Sequence, residues 1–175
     1  MIQNWLSVQA ILDSAFEQLE SAPNFIVLPE FALTSPYFPT REHIKAFAQS
    51  VQETNLPPPS CGARAVSVGA PAQSAVHMAR CWAKLHSAFL LLSVPTSPNA
   101  TDASATFDDS SYRLYNSLLA ISPSGGVVAL YHKRHIYGDS LFNPGPPVQR
   151  NTFQLPNGQT AGMLICFDLL NASPG

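Results

Sequence analysis

Apolar residues recur every three to four positions in three stretches of the chain, and this spacing predicts amphipathic helices. The first stretch covers residues 6–19. The second follows Thr40, whose hydroxyl can cap a helix, and continues to Val51 before the prolines at 57–59. The third covers residues 72–86. We therefore expect three helices, each with one apolar face against a common core.

Shorter apolar runs between these stretches predict strands. Residues 24–28 form an apolar run between two prolines, which indicates a strand buried on both faces, and residues 88–94 form a second run. Helices that alternate with strands in this order are typical of an α/β fold.

Two hairpins are predicted in the second half of the chain, where apolar runs flank residues that favour turns. Residues 115–121 and 127–132 flank the sequence SPSGG, and residues 152–155 and 159–166 flank PNG. The last of these runs ends at Cys166.

Composition favours one domain over residues 1–175, because a chain of this length with 46% hydrophobic residues is enough for one packed core. Residues 95–111 carry almost no large apolar side chain, so we expect an exposed, mobile insertion there. A net charge of -2 makes nucleic acid an improbable partner. No apolar run approaches the roughly 20 residues that span a membrane, and the start of the chain has no secretory leader pattern.

The chain contains three cysteines, so at least one thiol is left over from any pairing within the chain. We assign the free thiol to Cys166. Cys61 and Cys81 pair if the protein is secreted, or are small buried hydrophobes if it is cytosolic, and the sequence leaves both options open. A metal site on the cysteines is disfavoured, because no closely spaced ligand pair is present.

A catalytic set is suggested by three reactive side chains at the carboxyl ends of predicted strands: Glu30, Lys133 and Cys166. A free thiol is mostly protonated at neutral pH and needs a base. Glu30 can take the thiol proton, while Lys133 and the backbone N–H of Phe167 can stabilise an oxyanion. These roles fit attack on an amide or nitrile carbon and a thioester that water then cleaves.

Other interpretations of the same residues stay open. Each residue alone is more often structural: Cys166 as a buried thiol, Glu30 as a loop acid and Lys133 as an exposed cation. A peptide hydrolase could instead pair the thiol with His132 or His135 as its base. A catalytically inactive remnant that acts as an interaction module is the third possibility.

Three segments carry a resemblance to a known family: LPE at 28–30, YHKRH at 131–135 and GMLICFDLL at 162–170. The sequence around them resembles the carbon–nitrogen hydrolases of the nitrilase superfamily, and the third segment is most similar to the vanin and biotinidase branch. Shorter supporting matches are REHI at 41–44, ARCWA at 79–83 and YNS at 115–117.

The resemblance implies a nitrilase-type α/β/β/α sandwich, of which this chain would lack the first strand and the C-terminal portion. It implies Cys166 as nucleophile, Glu30 as general base, Lys133 as oxyanion stabiliser and Asp139 as a second acid, usually a glutamate, that positions the substrate. The expected substrate is a small linear amide such as pantetheine or a biotinyl amide, with no metal and no organic cofactor. Members of this branch are typically secreted or membrane-anchored, and a homodimer is expected for the complete domain.

Overall fold

The described chain has a mixed α/β fold, in which three of the four helices and one strand come first and five strands then follow in succession before a short last helix. The computed structural model describes residues 2–21, 23–51, 59, 61, 75–98, 112–138 and 141–171. In chain order, the elements in these residues are α1 (Ile2–Glu17), β1 (Phe25–Val27), α2 (Arg41–Phe47), α3 (Ala75–His86), β2 (Phe89–Thr96), β3 (Tyr115–Ile121), β4 (Val127–His132), β5 (Thr152–Gln154), β6 (Thr160–Gly162) and α4 (Asp168–Asn171).

The main sheet has the strand order β1-β2-β3-β4. β1 is parallel to β2, and β3 is antiparallel to both β2 and β4. β1, β2 and β4 therefore run in the same direction, and their carboxyl ends lie at the same end of the sheet. Glu30 follows β1 and Lys133 follows β4, so both residues lie at this end of the sheet.

The core forms two layers, one on each face of the main sheet, because side chains alternate between the faces of a strand. Leu90 and Leu92 of β2 pack on the helix side, and Phe89 and Leu91 pack on the opposite side. The helix side is completed by Trp5, Val76, Ala79 and Trp82, and the opposite side by Phe153, Met163 and Ile165. The main sheet is thus covered by α1 and α3 on one face and by the β5–β6 hairpin on the other.

The second helix ends earlier than the sequence predicts. Helical spacing extends to Val51, but α2 ends at Phe47 and Ala48 is already extended. The cause is tertiary: the N–H of Gln49 donates to Pro95 O at 2.9 Å, and its carbonyl accepts from Ser97 N at 3.2 Å. Pairing with the end of β2 therefore replaces a further helical turn.

Three strand predictions also need correction. The first strand is not buried on both faces: β1 lies at the edge of the described sheet, and Phe25 and Val27 are 37% and 60% exposed. β2 continues to Thr96, so residues 95–97 are buried rather than part of an exposed segment. β6 ends at Gly162, and residues 163–165 approach Cys166 outside a strand.

A disulfide joins Cys61 and Cys81, whose Cα atoms are 5.6 Å apart. Of the two options that the sequence left open for these cysteines, the structure therefore has the pair, and Cys166 is the free thiol. Residues 99–111, which make up most of the predicted insertion, and Asp139 lie outside the described residues. Within the described ranges, no helix is both long and apolar enough to cross a bilayer.

Candidate active site

A cleft of about 420 Å³ opens at the end of the sheet where β1 and β4 finish. Glu30, Lys133 and Cys166 all line it, so the structure brings together the three side chains that follow predicted strands. The rest of the described wall is mainly aromatic and aliphatic, and includes Phe31, Tyr37, Phe38, Ile136, Tyr137 and Phe142. Such a wall favours an apolar ligand surface.

Glu30 and Lys133 form an ion pair inside this cleft. Lys133 Nζ donates to Glu30 Oε1 at 2.7 Å. The side chain of Lys133 is 7% exposed and that of Glu30 is 21% exposed. A buried ammonium needs a close anionic partner because desolvation strongly disfavours an isolated charge. The backbone of Lys133 is also fixed, since its N–H donates to Asn116 O at 2.8 Å and its carbonyl accepts from Gly145 N at 2.8 Å.

Asn116 of β3 is a third member of this polar group. Its Nδ2 donates to Glu30 Oε1 at 2.6 Å, and its Oδ1 accepts from Ser93 Oγ at 3.1 Å. In the sequence, Asn116 is part of the short family match YNS, which indicates no role for it. The available signal was a buried amide within the otherwise largely apolar strand YNSLLAI.

Cys166 lies in the turn between residues 163–165 and α4, and its side chain is exposed. Its φ of 48° is in the left-handed region, which non-glycine residues adopt at an energetic cost and which is frequent at functional sites. No described residue accepts a hydrogen bond from the N–H of Phe167, the next residue along the turn. The thiol is thus accessible, with an unused donor beside it.

Asp168 anchors this turn from the protein interior and is only 1% exposed. Its Oδ2 accepts from Tyr131 Oη at 2.9 Å and from Ile165 N at 3.2 Å. Its Oδ1 accepts from His135 N at 2.8 Å and lies 3.1 Å from His135 Nδ1. Because Tyr131 and His135 flank Lys133 in sequence, one carboxylate links the cysteine turn to the lysine segment. The sequence pattern around Asp168 indicates no such role.

Burial and the Asp168 carboxylate together raise the pKa of Tyr131 to about 12, with burial the larger cause. The phenol therefore remains a donor to Asp168 throughout the neutral pH range. This contact keeps the end of β4 attached to the cysteine turn.

The two histidines considered as alternative bases both lie elsewhere. His132 Nδ1 is 2.7 Å from Ser117 Oγ, its ring stacks on Tyr115 at 4.2 Å, and burial lowers its pKa to about 4. His135 lines a separate cleft of about 400 Å³ with Arg134 and pairs with Asp168. Neither histidine lines the cleft that contains Cys166, Glu30 and Lys133.

An α/β fold whose sheet edge brings a thiol, a carboxylate and an ammonium into one cleft has the groups that acyl transfer through a cysteine requires. The chain belongs to the carbon–nitrogen hydrolase family, whose model matches residues 2–173.

Two relatives are similar to this chain in sequence. The pantetheine hydrolase VNN2 of Homo sapiens is 28% identical over 166 residues, which are 94% of this chain and 31% of that protein. The biotinidase of Rattus norvegicus is 33% identical over 60 residues, which are 34% of this chain and 12% of that protein. The chain therefore spans less than a third of the length of these relatives.

Solved structures of amidases share the fold. An N-terminal amidase with a cysteine-to-serine substitution has a TM-score of 0.65 at 21% identity, covering 95% of this chain and 36% of that one. A glutamate-to-glutamine mutant of an amidase from Nesterenkonia sp. AN1, which carries the acetamide moiety of fluoroacetamide on its active-site cysteine, has a TM-score of 0.58 at 18% identity and covers 95% of this chain and 51% of that one. The mixed α/β architecture is thus that of nitrilase-superfamily amidases.

Proposed function

We propose that this protein hydrolyses the carbon–nitrogen bond of a small, linear, non-peptide amide through a thioester on Cys166. The observation that carries the proposal is the single cleft lined by Glu30, Lys133 and Cys166. No metal or organic cofactor takes part in the proposed reaction.

The first step joins the Cys166 sulfur to the substrate carbonyl carbon. The Glu30 carboxylate takes the thiol proton as the S–C bond forms, and the carbonyl oxygen becomes an oxyanion. Glu30 then returns the proton to the amine nitrogen as the C–N bond breaks. Water attacks the resulting thioester with Glu30 again as the base, which releases the acid and restores the thiol.

Charge balance within the cleft supports these roles. Before reaction, the Glu30 carboxylate and the Lys133 ammonium neutralise each other at 2.7 Å. When Glu30 becomes neutral by taking the thiol proton, the negative charge moves to the oxyanion, and the same ammonium can stabilise it. The total charge of the cleft stays constant, so a poorly solvated site avoids the cost of a new unpaired charge.

The backbone N–H of Phe167 is the proposed second oxyanion donor. It follows the nucleophile directly and has no acceptor among the described residues. In the proposed mechanism, this N–H donates to the oxyanion of the tetrahedral intermediate.

Pantetheine and biotinyl amides are the substrates to test first, because a pantetheine hydrolase and a biotinidase are the relatives in sequence. The largely apolar wall of the cleft, which includes Phe38 and Phe142, suits an uncharged acyl group. Asp139 remains the predicted substrate-positioning acid.

Amine release from both substrates tests the proposal when this protein and Cys166→Ala are assayed side by side. We expect release by the wild type alone, with a loss of at least about a thousandfold in the variant. Retained activity in Cys166→Ala would refute the proposal. A fluoroacetamide adduct at Cys166, measured by intact mass, tests whether the thiol is accessible and nucleophilic without turnover; here the S–C bond forms, the C–F bond breaks and the thiol proton is lost.

Two further variants separate this proposal from a peptide hydrolase with a histidine base. Lys133→Ala should lose about 10²- to 10³-fold in kcat, the usual cost of an oxyanion donor. His135→Ala should lower kcat much less, because His135 contacts Asp168 and does not line the cleft. The reverse ranking would favour the histidine-based mechanism. No turnover and no adduct in the folded wild type would favour an inactive interaction module.

A further inference from the structure

The two oxygens of the Glu30 carboxylate have different surroundings. Oε1 accepts from Lys133 Nζ at 2.7 Å and from Asn116 Nδ2 at 2.6 Å. No residue in the described part of the chain donates a hydrogen bond to Oε2. One oxygen is therefore occupied by structural contacts, and the other is available for a further partner.

Asn116 is itself held in one orientation. Ser93 Oγ donates to its Oδ1 at 3.1 Å, so the amide must present its NH₂ group to Glu30. Both residues are 3% exposed, and Asn116 O also accepts from Lys133 N. Asn116 thus contacts the acid through its side chain and the lysine through its backbone.

We infer that Asn116, oriented by Ser93, is a positioning residue that reserves Oε1 of Glu30 for structural contacts and leaves Oε2 to transfer the proton. The inference rests on the proposed function, in which Glu30 is the base. In the first step the S–H bond of Cys166 breaks and an O–H bond forms on Oε2. In the second step that O–H bond breaks and an N–H bond forms on the departing amine.

Hydrogen-bond chemistry explains why Oε2 is the reactive oxygen. A proton on Oε1 would use one of the lone pairs that now accept from the ammonium and the amide NH₂, which are donors only, so one of the two contacts would be lost. A proton on Oε2 leaves Oε1 as an acceptor, and both existing hydrogen bonds persist. The proton transfer then requires no rearrangement of the buried group, which keeps the geometry fixed between the ionised and the neutral acid.

Asn116→Asp is the direct test, because it keeps the shape of the side chain and replaces the NH₂ donor with an oxygen that repels Glu30 Oε1. The other titratable groups of the described cleft wall are Lys133, Cys166, Tyr37 and Tyr137, and they are unchanged. We expect kcat to fall about 10- to 100-fold with little change in KM, and the acidic limb of kcat/KM to move up by about one pH unit, since a second carboxylate disfavours ionisation of the first.

Ser93→Ala is the milder variant, and Ser122→Ala is its matched control. Ser93→Ala frees the Asn116 amide to turn, so we expect a loss of about 3- to 10-fold in kcat, the cost of one neutral hydrogen bond. Ser122 is also buried but lies at the other end of the sheet, beside Gly126, so its variant should behave as the wild type. Equal behaviour of the two serine variants would overturn the inference.

The pH dependence of Cys166 alkylation by iodoacetamide supplies a readout without turnover. It should shift in Asn116→Asp and stay unshifted in Ser122→Ala. A folded Asn116→Asp protein with unshifted kinetics and alkylation would overturn the inference. If Cys166→Ala remains active, the proposed function itself fails; if activity depends on Cys166 but the Asn116 and Ser93 variants match Ser122→Ala, only the role of Asn116 fails.

Discussion

The two halves of the candidate site are held in different ways. Glu30 and Lys133 are fixed by side-chain contacts to each other and to Asn116. Cys166 is exposed, and its turn is fixed from behind through backbone contacts to the buried carboxylate of Asp168. The first half resembles a small buried polar network, and the second resembles an anchored surface loop.

The need for the substrate to reach the thiol accounts for this difference. A charged pair within an apolar cleft loses solvation and is stable only when its polar atoms have partners, so the partners also fix its geometry. A nucleophile must be reached by the substrate, so its side chain cannot be enclosed. Only the backbone around Cys166 can be fixed, and an acid below the turn can do so without blocking the thiol.

Lys133→Ala and Cys166→Ala should show this contrast most strongly. Both variants should lose at least about 10²-fold in amide hydrolysis. Lys133→Ala should also lower the free energy of unfolding by about 2–3 kcal/mol, because it leaves a partly buried carboxylate unpaired. Cys166→Ala should change it by less than about 0.5 kcal/mol, as expected for an exposed position. Urea unfolding measured beside activity checks both, and an equal destabilisation of the two variants would contradict the contrast.

Asp168→Ala should affect the anchored half, because it removes the acceptor for Tyr131, Ile165 and His135. We expect a loss of about 3–4 kcal/mol in stability, the cost of breaking a buried charged hydrogen-bond group, and about tenfold slower alkylation of Cys166. Asp168→Asn keeps one oxygen and should lie between the wild type and Asp168→Ala.

Asp13→Asn provides the control for this prediction. Asp13 accepts from Trp82 Nε1 at 2.6 Å on the helix side of the sheet, away from the cleft. Its variant should lose stability while the alkylation rate of Cys166 stays at the wild-type value. If both aspartate variants slowed alkylation alike, the effect of Asp168 would be one of general stability.

The sequence predicts the proximity of Glu30 and Lys133, because each follows an apolar run and parallel strands place their carboxyl ends at the same end of a sheet. Cys166 follows the separate antiparallel β5–β6 hairpin, so its position in the same cleft depends on long-range packing. The sequence does not predict the partners of Asn116, which depend on the pairing of Asn116 with Pro95 across β2 and β3. Nor does it predict that Asp168 accepts from a tyrosine 37 residues earlier in the chain. Strand register and long-range packing decide these contacts, and a local pattern carries no information about them.

Long-range packing also decides that β1 lies at the edge of the described sheet. An apolar run such as FIV indicates a strand, but the number of its neighbours depends on the whole sheet. Likewise, helical spacing in residues 41–51 is correct locally, yet the contacts of Gln49 with Pro95 and Ser97 end the helix earlier. Tertiary contacts thus decide how far β1 is buried and where α2 ends.

The disulfide between Cys61 and Cys81 lies outside both halves and should affect stability alone. Replacing both cysteines with serine opens a loop with a sequence separation of 20 residues, for which we expect a loss of about 2–3 kcal/mol. Cys166 alkylation in the folded variant should match the wild type. A changed alkylation rate would mean that the α3 region also positions the thiol.

His132 gives the smallest expected effect, a pH dependence of stability that leaves the cleft untouched. Burial lowers its pKa in the folded protein to about 4 from the ordinary 6.5, so the unfolded chain binds the proton more readily between these values. Protonation therefore favours unfolding: the contribution of His132 is fully present above pH 6.5 and is lost as the pH falls towards 4. Since the ring is only partly buried, we expect this loss to be about 1 kcal/mol. Unfolding free energies of the wild type and His132→Gln at pH 7 and pH 5 isolate the contribution of His132, because all other titrating groups are common to both proteins. The wild type should lose more stability than the variant over this interval, and an equal loss in both would mean that His132 is protonated as easily in the folded protein as in the unfolded chain.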